Sequence, residues 1–252
     1  MSAPSLGSIY KRNAEALAVF DKSRLDAFFK SMHHPQKNNN KAKGNRFKFD
    51  DGQHTFTCEL KKALCCAKKK DGTRCGRNVI FGIFCCHQHT ASIYKIRINR
   101  SKIPVPGGMQ GLFVCDPKAP AGAIVFKKGA TICPYFGEVL SKKQLDDRFQ
   151  PGKKNTSPYA LEISKNRFVD SACFQSIGSK ANSAKGSGGA FKNNAKFSNS
   201  SQYPFSSTLK AVRNIRNGEE ILVSYGAGYK LEDKSATLPR RPIKTKRICT
   251  KK

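Results

Sequence analysis

The sequence predicts a mostly β fold of the α+β class, and three stretches carry that prediction. Ile221, Leu222 and Val223 form a short apolar run, the pattern of a buried strand. Residues 93–100 (IYKIRINR) alternate apolar and polar side chains, as a strand with one buried side does. Residues 46–58 alternate around an Asp-Gly pair, which predicts a hairpin. Together these stretches indicate a chain built mainly from short strands.

A helix is expected ahead of these strands, over residues 8–34. Ser23 is placed to cap its amphipathic part, because a serine hydroxyl accepts hydrogen bonds from a first turn. Pro35 ends the pattern, and residues 36–46 (QKNNNKAKGNR) are polar and basic, as a linker is. The apolar side chains with the i, i+3, i+4, i+7 spacing of one buried helix face are Leu25, Phe28, Phe29 and Met32.

Length, charge and cysteine content bound the function. The 252 residues suffice for one sizeable domain and a smaller unit. The net charge of +30 comes from 47 basic and 17 acidic residues. It predicts salt-dependent binding to polyanions, nucleic acid first, with non-specific adhesion as the alternative. No apolar run is long enough to cross a bilayer, and no signal-peptide pattern begins the chain. The ten cysteines are therefore expected in a reducing compartment, where metal binding is favoured over disulfides.

Residues 65–92 predict a small zinc-binding module. Zinc in a structural site takes four tetrahedral ligands, and three thiolates with one imidazole form such a closed set. An Asp71-Gly72 pair supplies the turn that brings the first two ligands together. A unit this small has little apolar core, so bound metal would supply much of its folding free energy. The predicted ligands are Cys65, Cys75, Cys86 and His89.

Neighbouring residues leave alternatives open at this module. Cys66 can replace Cys65, Cys85 can replace Cys86, and His87 can replace His89; buried free cysteines without metal are the other interpretation. The module is also very basic. Its cations predict either contact with nucleic acid or docking and stapling of the N-terminal region, and they are Lys68, Lys69, Lys70, Arg74 and Arg77.

Five stretches in the second half of the chain follow one another in a particular order. They are GGMQGLFV (107–114), ICPYFGEVL (132–140), YALEISKNRFVD (159–170), KANSAKGSGGAFKNNAKF (180–197) and GEEILVSYGAGY (218–229). In this order the series resembles the SET domain of protein lysine methyltransferases, from about residue 93 to 229. The resemblance implies a SET-type β fold with a C-terminal pseudoknot. It also implies S-adenosylmethionine as the cofactor and a lysine amine as the methyl acceptor.

The resemblance also implies roles for single residues. Tyr225 matches the catalytic tyrosine, whose oxygen lies beside the transferred methyl group. Tyr135, in a Y-x-G-E match, faces the cofactor and the substrate, and Tyr159 matches an aromatic position that lines the lysine channel. Glu219 and Glu220 match a turn that fixes the pseudoknot. The residues implied in cofactor binding are Met109, Gln110, Gly111, Leu112, Tyr135, Asn182, Ser183 and Tyr225.

The sequence departs from the family pattern in three places. Met109 stands where a glycine is expected, and Ser183 stands where a histidine follows the asparagine. Related domains of the divergent viral or protist type also lack this histidine. The cysteine-rich segment that usually follows the domain is missing, since only Cys249 lies beyond Cys173. We therefore expect the basic tail or the N-terminal region to close the substrate channel.

The resulting expectation is a protein lysine methyltransferase that acts on a histone or another chromatin-associated protein. It would use S-adenosylmethionine and structural zinc, contact nucleic acid through its basic flanks, and reside in the nucleus, a host nucleus or a virion. The alternative is an inactive SET-like protein that binds nucleic acid or chromatin. The predicted organisation is a helix and hairpin segment (1–64), the zinc module (65–92), the SET-like domain (93–229) and a disordered basic tail (230–252).

Overall fold

The structure is a computed structural model of the chain. It describes residues 19–32, 45–50, 55–60, 62–80, 82–103, 110–149, 159–187, 189–199 and 207–225. Strands dominate the described residues, so the predicted mostly β class is confirmed. The chain divides into two compact units that alternate along the sequence. The first comprises Met1–Cys86, Phe136–Ser176 and Asn199–Ser207, and the second comprises His87–Tyr135, Ile177–Ser198 and Thr208–Lys252.

The helices described are short and the strands are short. The helices are α1 (Lys22–Met32), α2 (His87–Tyr94) and α3 (Lys142–Phe149), with 3₁₀ turns at Ile177–Lys180 and Ala184–Ser187. The strands are β1 (Asn45–Asp50), β2 (Thr55–Leu60), β3 (Lys62–Leu64), β4 (Asn78–Ile80), β5 (Ile96–Arg100), β6 (Gln110–Val114), β7 (Ile124–Phe126), β8 (Thr131–Tyr135), β9 (Glu138–Ser141), β10 (Ala160–Ser164), β11 (Arg167–Asp170), β12 (Ala195–Asn199), β13 (Ser207–Ala211), β14 (Ile215–Arg216) and β15 (Glu220–Ile221).

Helix α1, in the first unit, begins later than the sequence predicts and has a different cap. Phe20 forms a bridge with Ala67 instead of joining the helix. Asp21 then caps α1, because its Oδ1 accepts hydrogen bonds from the Arg24 amide at 3.0 Å and the Ser23 hydroxyl at 2.8 Å. A carboxylate at this position also interacts favourably with the positive N-terminal end of the helix dipole. Ser23, the predicted cap, is therefore not the capping residue. Its hydroxyl donates to the Asp21 carboxylate that caps the helix.

The apolar face predicted for α1 is described at one position only. Leu25 is buried, at 2 % exposure, as the spacing predicts. The side chains of Phe28, Phe29 and Met32, and all of residues 8–18 and 33–44, lie outside what the structure describes.

The predicted hairpin is confirmed in its two strands. β1 pairs antiparallel with β2, with Phe47 opposite Cys58, while the turn at residues 51–54 lies outside the described residues. Cys58 forms a disulfide with Cys173, 115 residues further along the chain. Both sulfurs lie in a buried cluster with Leu140, Leu145, Phe149 and Ala172. The expectation that the cysteines favour metal binding over disulfides is therefore wrong for this pair, which two distant segments bring together in the core.

The first unit also contains a three-stranded antiparallel sheet in the order β10-β11-β9. Arg148, near the end of α3, holds two buried carboxylates of this sheet. Its Nη1 lies 2.5 Å from Glu138 Oε2 and 2.7 Å from Asp170 Oδ2. Glu138 is 2 % exposed and Asp170 is 0 % exposed. Burial raises the pKa of Asp170, and the guanidinium of Arg148 opposes that rise. The Arg148 guanidinium, in the last turn of α3, thus pairs with both carboxylates.

The second unit contains sheets in the orders β15-β6-β5, β12-β13-β8 and β14-β7. β6 is its central strand, and Leu112, Phe113 and Val114 are completely buried, because β6 has a partner on each side. β5 begins at Ile96, later than the predicted residue 93, since residues 93–94 still belong to α2. Gly218 has φ of 93°, a conformation that glycine adopts without strain, as the turn prediction required.

Among the residues that the structure describes, no helix combines the length and the apolar character that crossing a membrane requires.

Candidate functional site

A short crossing near the C-terminal end of the described chain organises the second unit. Its residues, 219–223, are held between two separate segments. On one side Leu222 forms a parallel bridge with Asn182, and the Val223 amide donates to the Asn182 carbonyl at 2.8 Å. On the other side Val223 forms a parallel bridge with Ala195. The crossing therefore joins three parts of the chain that are distant in sequence.

Asn194 completes the second side of the crossing through its side chain. Its Nδ2 donates to the Glu220 carbonyl at 2.8 Å, and its Oδ1 accepts the Leu222 amide at 2.9 Å. The side chain is 1 % exposed. A carboxamide offers one acceptor and two donors, so it pairs with the backbone of the crossing in both directions. The sequence showed Asn194 within a matched stretch but gave no reason to single out its side chain.

The carboxylate of Glu220 is the polar centre beneath the crossing. Its Oε1 accepts the Ser101 hydroxyl at 2.6 Å and the Asn182 amide at 3.2 Å, and its Oε2 accepts the Lys102 backbone amide at 2.7 Å. Glu220 is 5 % exposed, and hydrogen bonds to a buried carboxylate are the strong, charge-assisted kind. A Cβ on Gly111 would collide with this carboxylate, so the glycine lets β6 approach it.

Asn182 ties this centre to β6. Its Nδ2 also donates to the Gln110 carbonyl at 3.0 Å. Both hydrogens of the amide are thus engaged by Gln110 and Glu220. In this structure the side chain positions the start of β6 against the crossing, whereas the resemblance implied a direct bond from the amide to the cofactor.

Tyr225 follows the crossing and is held at its phenol. The hydroxyl donates to the Ala181 carbonyl at 2.8 Å. Ala181 directly follows the 3₁₀ turn Ile177–Lys180, whose Gly178 lies against Tyr135: a Cβ there would be 3.2 Å from the Tyr135 ring and 2.8 Å from the Pro134 carbonyl. One turn therefore positions both tyrosines. Burial lowers the pKa of Lys180 on the same turn.

Tyr135 is buried at 3 % exposure. Its ring packs edge-on against Phe197, with centroids 5.2 Å apart. This packing fixes the ring at the end of β8. Tyr135 thus has the rigid setting that a positioning residue needs.

A pocket of about 450 Å³ opens beside Tyr225. Residues 184–187 and 189–193 contribute most of its lining and are held by hydrogen bonds among themselves. The Ala184 amide donates to Asn193 Oδ1 at 2.9 Å, and the Phe191 amide donates to the Ser187 hydroxyl at 3.1 Å. The residues that line the pocket are Ser183, Ala184, Lys185, Gly189, Phe191, Lys192, Asn193, Ser224 and Tyr225.

The structure brings together some of the predicted site residues. Gln110, Gly111 and Asn182 meet at Glu220, and Ser183 and Tyr225 line the pocket. Leu112 lies one residue beyond Gly111, inside the core. Residues 107–109, including Met109, and the glycines at 226 and 228 lie outside the described residues.

Tyr159 belongs to the first unit. It is half-buried and packs against the core cluster that contains the Cys58–Cys173 disulfide. Its backbone carbonyl accepts the Ser171 amide at 3.0 Å. Its predicted place in a lysine channel stays a prediction.

Sequence reasoning missed several pocket residues. Lys185, Phe191 and Lys192 stand within the matched stretch 180–197 but were not singled out, although all three line the pocket. The available signal was the contrast between one aromatic and two basic residues in an otherwise glycine- and serine-rich stretch.

The predicted metal ligands come together in space. One ligand atom each from Cys65, Cys75, Cys86 and His89 lies within 4.8 Å of all the others. His89 follows Cys86 by three residues and lies in the first turn of α2. The Cys86 amide donates to Cys65 Sγ at 3.2 Å, a bond that favours a thiolate ligand. The donor set is that of a closed structural zinc site.

The neighbouring thiols lie in settings that keep them protonated. Burial raises the pKa of Cys66 to about 12, and a hydrogen bond with Cys65, together with burial, raises the pKa of Cys85. The set without these two residues is favoured by geometry, because the ligand atoms of Cys65, Cys75, Cys86 and His89 are the ones that cluster within 4.8 Å.

A comparison with protein families finds a match over the part of the chain that includes the crossing. Residues 124–226 match the family model of the SET domain. The match includes Tyr135, Asn182 and Tyr225 but begins after β6 and does not include the Cys/His cluster. No curated protein matches the chain. Residues 124–226, somewhat less than half of the chain, are therefore similar to a SET domain.

Proposed function

We propose that this chain, with its SET domain at residues 124–226, is a protein lysine N-methyltransferase that uses S-adenosylmethionine. The observation that carries the proposal is the setting of Tyr225. Its phenol is fixed by the Ala181 carbonyl, and its side chain lines a pocket beside the crossing. Such a pocket is where a rigid phenol can meet both a cofactor and an incoming amine.

The residues of the pocket fit this cofactor. A volume of about 450 Å³ lies in the range of small-molecule sites. Phe191 offers an aromatic surface for an adenine ring, and Lys185 and Lys192 offer cations for a carboxylate. When bound, S-adenosylmethionine supplies an electrophilic methyl group on a sulfonium ion. Residues 107–109, where the family has its glycine-rich turn, lie outside the described residues, so Met109 remains a predicted contact.

The chain's own contribution to methyl transfer is positioning. The reaction needs no metal or acid–base pair at its centre, because alignment of the amine, methyl group and sulfur provides the catalysis. Tyr225 would accept weak C–H hydrogen bonds on its oxygen and orient the amine. An apolar channel would lower the pKa of the amine and favour its neutral, nucleophilic form. Tyr159 is the proposed channel residue, and Tyr135 is proposed to face the cofactor and the substrate.

We infer that the substrate is a histone or another chromatin-associated protein. Histones are basic, and so is this chain, at +30. Like charges oppose encounter, so a shared polyanion such as nucleic acid would bring the two together. The basic flanks, including residues 230–252, are the proposed nucleic-acid contacts, and the nucleus is the proposed location.

The Cys/His cluster is proposed to hold a structural zinc ion. Three thiolates and one imidazole leave no open position for a substrate, so the ion would stabilise the fold around β3 and β4. We expect about one zinc per chain by elemental analysis of protein purified without chelator. Metal-free protein with an unchanged melting temperature would contradict the proposal.

Methyl transfer is tested with purified full-length protein, labelled cofactor and histones. We expect the wild type to label histone, and Tyr225→Phe to lower the rate by about a hundredfold, the scale for loss of one positioned polar group. Asn182→Ala should also slow the reaction, because it releases β6 from the crossing. Tyr94→Phe, on α2 outside the pocket, serves as the matched control and should retain full activity. Equal labelling by all four proteins would remove the proposed site.

The second candidate is a nucleic-acid or chromatin-binding protein whose SET domain has lost activity. The observation that favours it is Ser183, which lines the pocket at the position where the family has histidine. The two candidates differ in cofactor binding, which a calorimetric titration measures directly.

A further inference from the structure

The first unit displays a compact basic loop whose backbone is fixed. Residues 62–80 contain six basic side chains and one acidic side chain. At the tip of this segment the Lys69 amide donates to the Thr73 carbonyl at 2.7 Å, and the Gly72 amide donates to the Lys69 carbonyl at 3.0 Å. Asp71, the one acid, is engaged by the backbone amide and hydroxyl of Thr73 at 2.8 and 2.6 Å. The tip of the loop is therefore held by hydrogen bonds within the loop itself.

The base of the loop is held as firmly as its tip. Lys68 and Arg74 form an antiparallel bridge, and the loop lies between Cys65 and Cys75, two of the clustered thiols. Arg24, from α1, spans this base: its Nη1 donates to the Cys65 carbonyl at 2.8 Å and to the Cys75 carbonyl at 2.7 Å. Cationic side chains on such a fixed backbone lose less freedom when they bind.

Five of the six basic side chains of the segment, all but that of Lys62, are described by the structure, and they fall into two groups. Arg74 pairs with the cap carboxylate Asp21 at 2.7 Å, and together with Arg24 it ties α1 to the loop. Four other cations are exposed on the loop and beside it. We call this surface the basic hairpin, and its members are Lys68, Lys69, Lys70 and Arg77. The basic residues thus serve both as staples of the N-terminal region and as an outward surface.

We propose that the basic hairpin binds the phosphate backbone of double-stranded nucleic acid. Adjacent phosphates on a duplex strand present a regular row of negative charge, which closely spaced lysines on a fixed loop can follow. The tip, residues 68–74, contains no apolar side chain. Stable protein interfaces rely on apolar and aromatic anchors, whereas phosphate contacts need only charges and donors. The observations therefore favour nucleic acid over an acidic protein.

The proposed contact reads no sequence, because lysine ammonium groups that meet phosphates carry no base information. It is also independent of methyl transfer, since none of its residues belongs to the SET match. Its consequence is that the first unit would contribute affinity for a duplex in its own right, besides the basic tail.

The test measures binding of the full-length protein to a blunt duplex of about 25 base pairs over a range of salt concentrations. Each phosphate contact contributes about 0.9 to the slope of log K against log salt. We expect the triple variant Lys68→Ala/Lys69→Ala/Lys70→Ala to lose about 2 to 3 from this slope. Replacing the same three lysines by arginine should keep it.

The matched control removes the same charge elsewhere. Lys127, Lys128 and Lys165 are exposed and lie outside the basic hairpin. Their triple alanine variant should keep the wild-type slope to within about 1, and both triple variants should keep the wild-type melting temperature, since exposed lysines change stability little. Equal slope losses in the two variants would mean diffuse attraction by net charge and would overturn the proposal.

Polyglutamate provides the remaining arm, as a stand-in for an acidic protein. If the hairpin variant lost affinity for polyglutamate but retained its slope with duplex, the surface would serve an acidic protein, and the proposal would be wrong. The proposal is supported if the hairpin variant loses salt slope with duplex. Its affinity for polyglutamate should then fall no further than that of the control variant.

Discussion

At the scale of single residues, the second unit depends on polar side chains that replace regular strand pairing. β15 has two residues, too few to anchor a crossing by backbone bonds alone. Side-chain hydrogen bonds hold it in addition. The Asn194 amide bonds the backbone of Glu220 and Leu222, and the Glu220 carboxylate accepts the Ser101 hydroxyl. Both side chains are nearly inaccessible to solvent. Removing either one would therefore leave its hydrogen-bond partners buried and unsatisfied. An unsatisfied buried group costs more free energy than the hydrogen bond contributes.

Glu220→Gln tests this residue-scale account. The change preserves shape but removes the charge, so the donors at Ser101, Lys102 and Asn182 lose a charge-assisted acceptor. We expect the free energy of unfolding to fall by about 2 to 3 kcal/mol, as measured by urea denaturation. Glu219→Gln is the control, since Glu219 pairs with Arg213, which is half exposed, and such pairs contribute under about 1 kcal/mol. Equal effects of the two changes would argue against the carboxylate as the polar centre.

At the scale of elements, the guanidinium of Arg148 joins helix α3 to its sheet, in addition to the apolar packing of Leu145 and Phe149. Arg148 sits between Glu138 and Asp170, which are paired across neighbouring strands β9 and β11. The two buried acids would repel each other without it. Glu138 belongs to the matched Y-x-G-E stretch, so this structural need gives a reason for a glutamate there that is separate from catalysis.

Arg148→Met should therefore destabilise the protein by about 3 to 5 kcal/mol, the scale for breaking a buried ion pair on one side. The loss should shrink as pH falls. Burial already raises the pKa of Asp170 in the folded state, and removal of Arg148 raises it further. A carboxyl with a raised folded pKa gains stability as it protonates on acidification.

Melting temperatures measured between pH 7 and pH 4 check this prediction. Lys142→Met on the same helix is the control, because its pair with Asp146 is exposed and contributes little. A variant with Arg148→Met whose deficit stays constant across this pH range would exclude the proposed repulsion between the two acids.

At the scale of the whole chain, local patterns were predictable and long-range partners were not. The β1–β2 hairpin and the turn at Gly218 followed from short patterns and are confirmed. The prediction of an unbroken helix over residues 8–34 was wrong at residues 19–21, which are not helical. Phe20 instead bridges Ala67, 47 residues away in sequence, a contact that helical periodicity does not encode. The Cys58–Cys173 pair was missed for the same reason, since nothing local to either cysteine indicates the other.

The candidate site shows the same division. The order of motifs pointed to Asn182 and Tyr225, and the structure places both around the crossing. The sequence did not indicate that the amide of Asn182 faces Gln110 and Glu220, or that Phe191 and Lys192 line the pocket. Those facts depend on contacts between the two ends of this stretch, such as the hydrogen bond from the Ala184 amide to Asn193 Oδ1.

The central claim is that the pocket beside Tyr225 holds S-adenosylmethionine, and a calorimetric titration of the cofactor into the full-length protein tests it most directly. We predict saturable binding near one site per chain. Phe191→Ala should weaken it about tenfold or more, the scale for loss of an aromatic surface under a base. Ile124→Ala, an exposed apolar residue away from the pocket, should leave it unchanged. No binding heat with the wild type, or equal affinities in all three proteins, would contradict the claim.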